Sequence, residues 1–298
     1  MKRSPVFRPS VFRKRRGRRP HPRLKGLSLN HLLPNVLTVL ALCSGLTAIR
    51  FAVLERWEPA VIAIVIAAIF DMLDGRIARL LNGQSKFGAE LDSLSDVISF
   101  GVAPALLMYQ WVLQEAGGLG WVAAMVYAVC CALRLARFNS RLGAVDLPPW
   151  AFNYFTGVPA PAGAGLALLP MIAGFEAGPD WVGHPAVVVP WTMGVGILMV
   201  STLPTFSFKG VRVPTSYVVP GLVGVGLLAA SLVSQPWWTM LAIGLVYVAS
   251  LPVSVLQFRK LQRAAALMQE PEEGEDQDQP EDGEQPSDRP EPFVRKVE

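Results

Sequence analysis

VIAIVIAAIFDMLDGRIARLLNGQSKFGAELDSLSDVISFGVAPALL, residues 61–107, begins and ends in strongly apolar sequence and holds Asp71, Asp74, Asp92 and Asp96 between those ends. Glu90 is the one other acid in it. Two apolar helices joined by the short polar turn Asn82-Gly83-Gln84-Ser85 run antiparallel as neighbours, so the stretch predicts a helical hairpin with its acids at a membrane boundary. At about 100° per residue, positions 71, 74, 75 and 78 share one helix face. That face reads Asp, Asp, Gly, Ala. The second helix repeats the arrangement with Gly88, Asp92 and Asp96 at i, i+4 and i+8.

The rest of the chain places this hairpin in a polytopic membrane protein. Its 298 residues are 52% hydrophobic and 17% charged, with a mean hydropathy of +0.38, which is too apolar for a soluble domain of this length. Charge is concentrated in the tails: residues 1–32 hold eleven Lys/Arg and no acid, and residues 270–298 hold twelve of the 23 acids. Cys43, Cys130 and Cys131 lie in apolar runs, without the spacing of a disulfide framework or a zinc site. Apolar stretches of spanning length fall at about 33–53, 59–81, 90–113, 119–139, 157–176, 185–203, 215–233 and 236–257. The expected fold is therefore all-α with about eight transmembrane helices. Its expected organisation is a basic cytoplasmic tail (1–32), a transmembrane core that holds the aspartates (33–176), additional transmembrane helices (177–262) and an acidic, disordered cytoplasmic tail (263–298).

Cytoplasmic loops retain Lys and Arg. With the N-terminal tail in the cytoplasm, Arg76, Arg79 and Lys86, then Arg134, Arg137 and Arg141, then Lys209 and Arg212, then Arg259, Lys260 and Arg263 all fall on that side. The opposite loops, around Glu55–Glu58, Glu115 and Glu176–Asp180, hold Arg56 alone among basic residues. Both termini and the aspartates are thus expected at the cytoplasmic face of the membrane. The basic tail reads as a topology determinant that also attracts anionic lipid headgroups, and nucleic acid is not an expected partner.

Four carboxylates converging in a low-dielectric setting repel one another, and each buried charge costs several kcal/mol unless compensated. Hard divalent cations take oxygen ligands and suit such a site. A metal pair roughly 3.5–4 Å apart is a common device for displacement at phosphorus. A proton relay or an ion path through a transporter is the competing reading of intramembrane acids. Against it, charge is confined to one end of these helices.

The full pattern Asp71-x2-Asp74-Gly75-x2-Ala78-Arg79-x8-Gly88-x3-Asp92-x3-Asp96 resembles the signature of the CDP-alcohol phosphatidyltransferases, membrane enzymes that join a CDP-activated lipid to an alcohol. The resemblance implies a two-metal centre of Mg2+ or Mn2+ on Asp71, Asp74, Asp92 and Asp96, with Asp96 also the catalytic base. It implies a CDP-lipid pocket made by Asp74, Gly75, Ala78, Arg79 and Gly88, joined by Asn35 and Thr38 of the first helix. Family members often dimerise through membrane helices, and the small-residue segment PAGAGLALLP (161–170) would permit close packing.

Over residues 33–170 the chain is similar to bacterial and archaeal phosphatidylserine synthases. LPNVLTVLALCSGLTAI (33–49), SKFGAELDSLSDVISFGVAPALL (85–107), ALRLARFN (132–139) and FTGVPAPAGAG (155–165) carry that similarity. Beyond about residue 175 hydropathy alone carries it. The similarity implies CDP-diacylglycerol and L-serine as substrates, giving phosphatidylserine and CMP; glycerol 3-phosphate or inositol is the alternative acceptor. A serine pocket needs a group for the carboxylate, and Arg134, Arg137 and Asn139 are its candidates.

Overall fold

The computed structural model describes residues 29–81, 85–141, 154–178, 182–206 and 217–267. The basic N-terminal segment, turn residues 82–84, the loop holding Lys209 and Arg212, and the acidic tail expected to be disordered lie outside the described residues.

Each of the eight apolar runs is helical. Helices α1 (Leu29–Val53) and α2 (Trp57–Leu80) form the most extensive helix pair in the molecule. Ala41, Ala48 and Ala52 of α1 and Ala60, Ala63 and Ala67 of α2 are all buried. Such small side chains let two backbones approach closely. Helix α3 (Lys86–Asp96) continues through a π-helical stretch, Val97–Val102, into α4 (Ala103–Trp111). A short 3-10 turn, Leu113–Ala116, leads to α5 (Gly118–Arg141). Then follow β1 (Tyr154–Thr156), α6 (Ala160–Ala167), α7 (Leu169–Ala177), α8 (Pro185–Val200), β2 (Pro204–Phe206), α9 (Val218–Ser234) and α10 (Pro236–Leu267).

Among the described residues, four segments are long and apolar enough to cross a membrane: Leu32–Val53, Lys86–Trp111, Gly118–Ser140 and Pro236–Phe258. The helices at Ala160–Glu176, Pro185–Val200 and Val218–Ser234 are apolar but shorter. Helix α2 has 24 residues but carries Asp71, Asp74, Arg76 and Arg79 near its C-terminal end. The expected eight spans thus resolve into four of full length and apolarity and four that are shorter or charged. Leu33, Val36 and Leu40 of α1, Ile62, Ile66 and Ile69 of α2, and Val122, Met125 and Val129 of α5 are exposed. Apolar side chains on the outside of a helical bundle are what lipid tails require, and the molecule is an integral membrane protein.

The third run begins one turn earlier than the expected residue 90. Ser85 caps α3, its Oγ accepting from the Gly88 amide at 2.9 Å. The π-helical stretch is anchored on two sides. Ser99 Oγ donates to Ala41 O of α1 (3.2 Å), and Tyr127 Oη of α5 donates to Phe100 O (2.8 Å). Both approaches depend on glycine: a Cβ on Gly45 would overlap Ser99, and one on Gly101 would press on Cys131.

In the first turn of α7, Pro170 has no amide to offer the carbonyl of Leu166, and the indole of Trp191 in α8 donates to that carbonyl instead at 2.8 Å. The segment PAGAGLALLP packs inside the chain through Gly163, which abuts Met199 of α8. The all-α expectation holds apart from one two-stranded ribbon, β1 antiparallel to β2, with Thr156 opposite Pro204. Gly157 ends β1 at a positive φ of 77°; its amide donates to Leu203 O (2.8 Å), and Thr205 Oγ1 donates to its carbonyl (3.0 Å).

Candidate active site

Asp71 and Asp74 lie in the C-terminal part of α2, and Asp92 and Asp96 lie in α3. Carboxylate oxygens of Asp71, Asp74 and Asp92 all come within 4.8 Å of one another. Asp96 lies beside Asp71, within its electrostatic reach. The four acids do converge, and α1 is what brings them together. It packs against both acid-bearing helices. Thr38 Oγ1 donates to Asp74 Oδ2 at 2.5 Å, while Ser95 Oγ of α3 donates to the Thr38 carbonyl at 3.2 Å. One residue of α1 therefore holds an aspartate of α2 and the backbone register of α3. Asp74 is buried, and Asp71, Asp92 and Asp96 are half-buried.

Among the described residues no Lys or Arg pairs with any of the four carboxylates within salt-bridge distance. Three carboxylates so close and so poorly hydrated need a positive charge. The donor set is all oxygen, which fits a hard divalent cation. Asp71, Asp74 and Asp92 are the side chains that would hold it.

Beside the acids opens a cleft of about 340 Å³. Asn35 and Thr38 of α1, Asp74, Gly75, Ala78 and Arg79 of α2, and Gly88 and Asp92 of α3 all line it. Every residue expected to contact the CDP-lipid is thus on one cavity wall. The glycines differ in what they do there. Gly75 faces open space, whereas a Cβ on Gly88 would come within 2.8 Å of Asn35 Oδ1. The first leaves room in the cleft; the second lets α3 approach α1. Arg79 Nε donates to Gly75 O at 2.9 Å, which holds the guanidinium along the cleft rim. Pro34, Ser85 and Ala89 also line the cleft and were not among the expected residues. Ser85 carried a legible signal, a serine three residues before Gly88 at a helix start.

The three residues expected to bind serine diverge. Arg137 donates to Val200 O (2.7 Å) and Ser201 O (3.1 Å), closing the C-terminal end of α8. Asn139 Nδ2 donates to Ser93 Oγ (2.8 Å), tying α5 to α3. Arg134 instead lies near Asp71 and Asp96, and its Nε is buried without a hydrogen-bond partner.

Comparison with known proteins agrees with this geometry. The family described as CDP-alcohol phosphatidyltransferase matches residues 31–206, and that described as CDP-alcohol phosphatidyltransferase 2 matches residues 216–252. Family likeness therefore runs well past residue 175, where hydropathy alone had been expected to carry it. A CDP-diacylglycerol–serine O-phosphatidyltransferase of Mycobacterium tuberculosis is 40% identical over 252 residues, 83% of this chain and 84% of its own length. Proteins of the same name from Bacillus subtilis and Methanocaldococcus jannaschii are 33% and 41% identical; the alignments cover 59% and 44% of this chain and 91% and 56% of theirs. With more than half of its length matched and its acids gathered at one cleft, the chain belongs to the CDP-alcohol phosphatidyltransferase family.

Proposed function

We propose that this protein is a phosphatidylserine synthase: it transfers the phosphatidyl group of CDP-diacylglycerol to the hydroxyl of L-serine, releasing CMP. The observation that carries the reading is the 40% identity with the mycobacterial serine transferase across most of both chains. The cleft bounded by motif residues supports it.

Asp71, Asp74 and Asp92, with Asp96 as a further ligand, would hold a pair of Mg2+ or Mn2+ ions; divalent metals are general in this family. Cations bound there would offset charge on the diphosphate and on the departing CMP. The chain's own residues do the rest. The diphosphate rests in the cleft, where Arg79 offers a fixed cationic fork to phosphate oxygens. Asn35 supplies a further polar contact, and Thr38 keeps Asp74 in place. Gly75 and Ala78 leave space for the nucleotide, while the acyl chains stay in lipid outside the bundle. Asp96 accepts the proton of the serine hydroxyl, worth about 10²–10⁴-fold in rate. The freed oxygen attacks the phosphorus bearing diacylglycerol, and the bond from that phosphorus to the CMP oxygen breaks. Serine enters from the cytoplasm, the side to which the basic ends of the helices are assigned. A homodimer within the membrane is the proposed assembly.

Incorporation of labelled serine into chloroform-soluble lipid by the purified protein tests the reading. Serine is expected to be incorporated in strong preference to glycerol 3-phosphate and inositol. Preference for either of those would keep the chemistry and overturn the acceptor.

A further inference from the structure

Asp96 is the last residue of α3, and the π-helical stretch Val97–Val102 begins at the next residue. Within it the Ala103 amide donates to the Ile98 carbonyl, five residues back instead of four. One extra residue in a turn rotates the helix before it by about 100° against the helix after it. Such turns are rare and concentrate at functional sites. This one separates the acid-bearing helix from α4, whose side chains are packed in the core.

Tyr127 of α5 is fully buried, and its hydroxyl donates to the Phe100 carbonyl at 2.8 Å. In an α-helix that carbonyl would take the amide of residue 104, but Pro104 has none to give. The phenol serves it instead. Gly101 lets α5 lie this close, because a Cβ there would come within 3.3 Å of Cys131, one turn along from Tyr127. On the opposite side Ser99 Oγ donates to the Ala41 carbonyl of α1 (3.2 Å). The flanking helices differ in how firmly they are packed. Helix α4 buries Ala103, Pro104, Ala105, Leu107 and Met108, whereas α3 buries Ser95 alone. A slip of the π turn into α-helical register would therefore turn α3, and Asp96 is its residue nearest the slip.

We propose that Tyr127 is a positioning residue for Asp96: by holding the π turn, its hydroxyl sets the direction in which the Asp96 carboxylate faces Asp71, Asp92 and the acceptor hydroxyl. This rests on the reading of Asp96 as the base. Tyr127 does not line the nucleotide cleft, so its effect on turnover passes through Asp96. A base must stand within hydrogen-bond reach of the proton it takes, and a misplacement of about 1 Å can cost roughly 10²-fold in rate. Trp191 offers a comparison inside the same molecule. Its indole serves the Leu166 carbonyl, which Pro170 leaves without an amide, in helices that carry none of the four aspartates.

The test is a double-mutant cycle on CMP release by the full-length protein in lipid-detergent micelles, with L-serine and saturating Mn2+. Tyr127→Phe removes one hydroxyl and keeps the ring. Its kcat is expected to fall about 10- to 100-fold, while the KM for CDP-diacylglycerol stays unchanged. In an Asp96→Asn background, where no base remains to be aimed, the same change should lower single-turnover rates by less than about twofold. Ser99→Ala releases the second anchor and is expected to give a smaller loss that likewise vanishes in Asp96→Asn. Trp191→Phe removes the comparison bond and should leave kcat within about twofold of the unaltered protein. Unchanged kcat in Tyr127→Phe and Ser99→Ala would overturn the proposal. So would an equal loss with and without Asp96, or a loss in Trp191→Phe as large as in Tyr127→Phe. Near-normal turnover in Asp96→Asn itself would overturn the underlying assignment of the base instead, so the two failures are distinguishable.

Discussion

Thr38 shows how much of this site rests on single atoms. Its hydroxyl holds Asp74, and its carbonyl receives Ser95. Thr38→Val should leave the fold in place and weaken metal activation about 10- to 100-fold, the usual scale for a residue that orients a metal ligand; a Mn2+ titration of CMP release measures it. The aspartates themselves divide by role. Asp71→Asn and Asp92→Asn are expected to abolish turnover together with divalent-cation binding. Asp96→Asn should lose about 10²–10⁴-fold in rate while still binding the CDP-lipid, which single-turnover kinetics and lipid-binding measurements separate. The aspartates were legible because their spacing puts two carboxylates on each of two helix faces. The supporting role of Thr38 was not: a Thr in an apolar helix has the same sequence signature whether it touches a ligand or a neighbouring carboxylate.

At the scale of elements, the deciding feature is the fit of α1 against the acid-bearing helices. Gly45 meets Ser99 so closely that a Cβ would overlap its backbone and side chain. Gly45→Ala should cost about 1–3 kcal/mol, the scale of overpacking a tight contact. Gly165 faces open space, and Gly165→Ala should change stability by no more than about 0.5 kcal/mol. Thermal unfolding in detergent compares the two, and equal shifts would contradict the packing. The hairpin that the turn at 82–85 suggested is real as a meeting of side chains, yet α1 is what lies against both of its helices. Local periodicity predicts helices and faces, but which third helix fills the groove depends on contacts between residues far apart in sequence. The π-helical stretch was hidden for the same reason. It is held by Tyr127 and Ser99, whose partners are main-chain carbonyls that carry no sequence signal.

For the whole molecule, hydropathy predicted the eight helical segments, and charge assigned their ends to the two sides of the membrane. It could not foresee that α6 and α7 are separate helices joined at Leu168, or that residues 154–156 and 204–206 pair as a ribbon. Orientation is open to direct measurement. In a background with Cys43, Cys130 and Cys131 replaced by alanine, Glu115→Cys is expected to react with an impermeant thiol reagent from outside intact cells. Lys260→Cys should react only after the membrane is opened. The reverse pattern would invert the assigned topology.

The central claim is that aspartates from two membrane helices bind divalent cations and that this arrangement drives transfer of a phosphatidyl group to serine. Its most direct test is CMP release from CDP-diacylglycerol by chelator-stripped protein as Mn2+ or Mg2+ is returned, with and without L-serine. The account predicts release that needs both the cation and serine and that Asp92→Asn lacks. Release that persists in excess chelator, or that survives in Asp92→Asn, would contradict it.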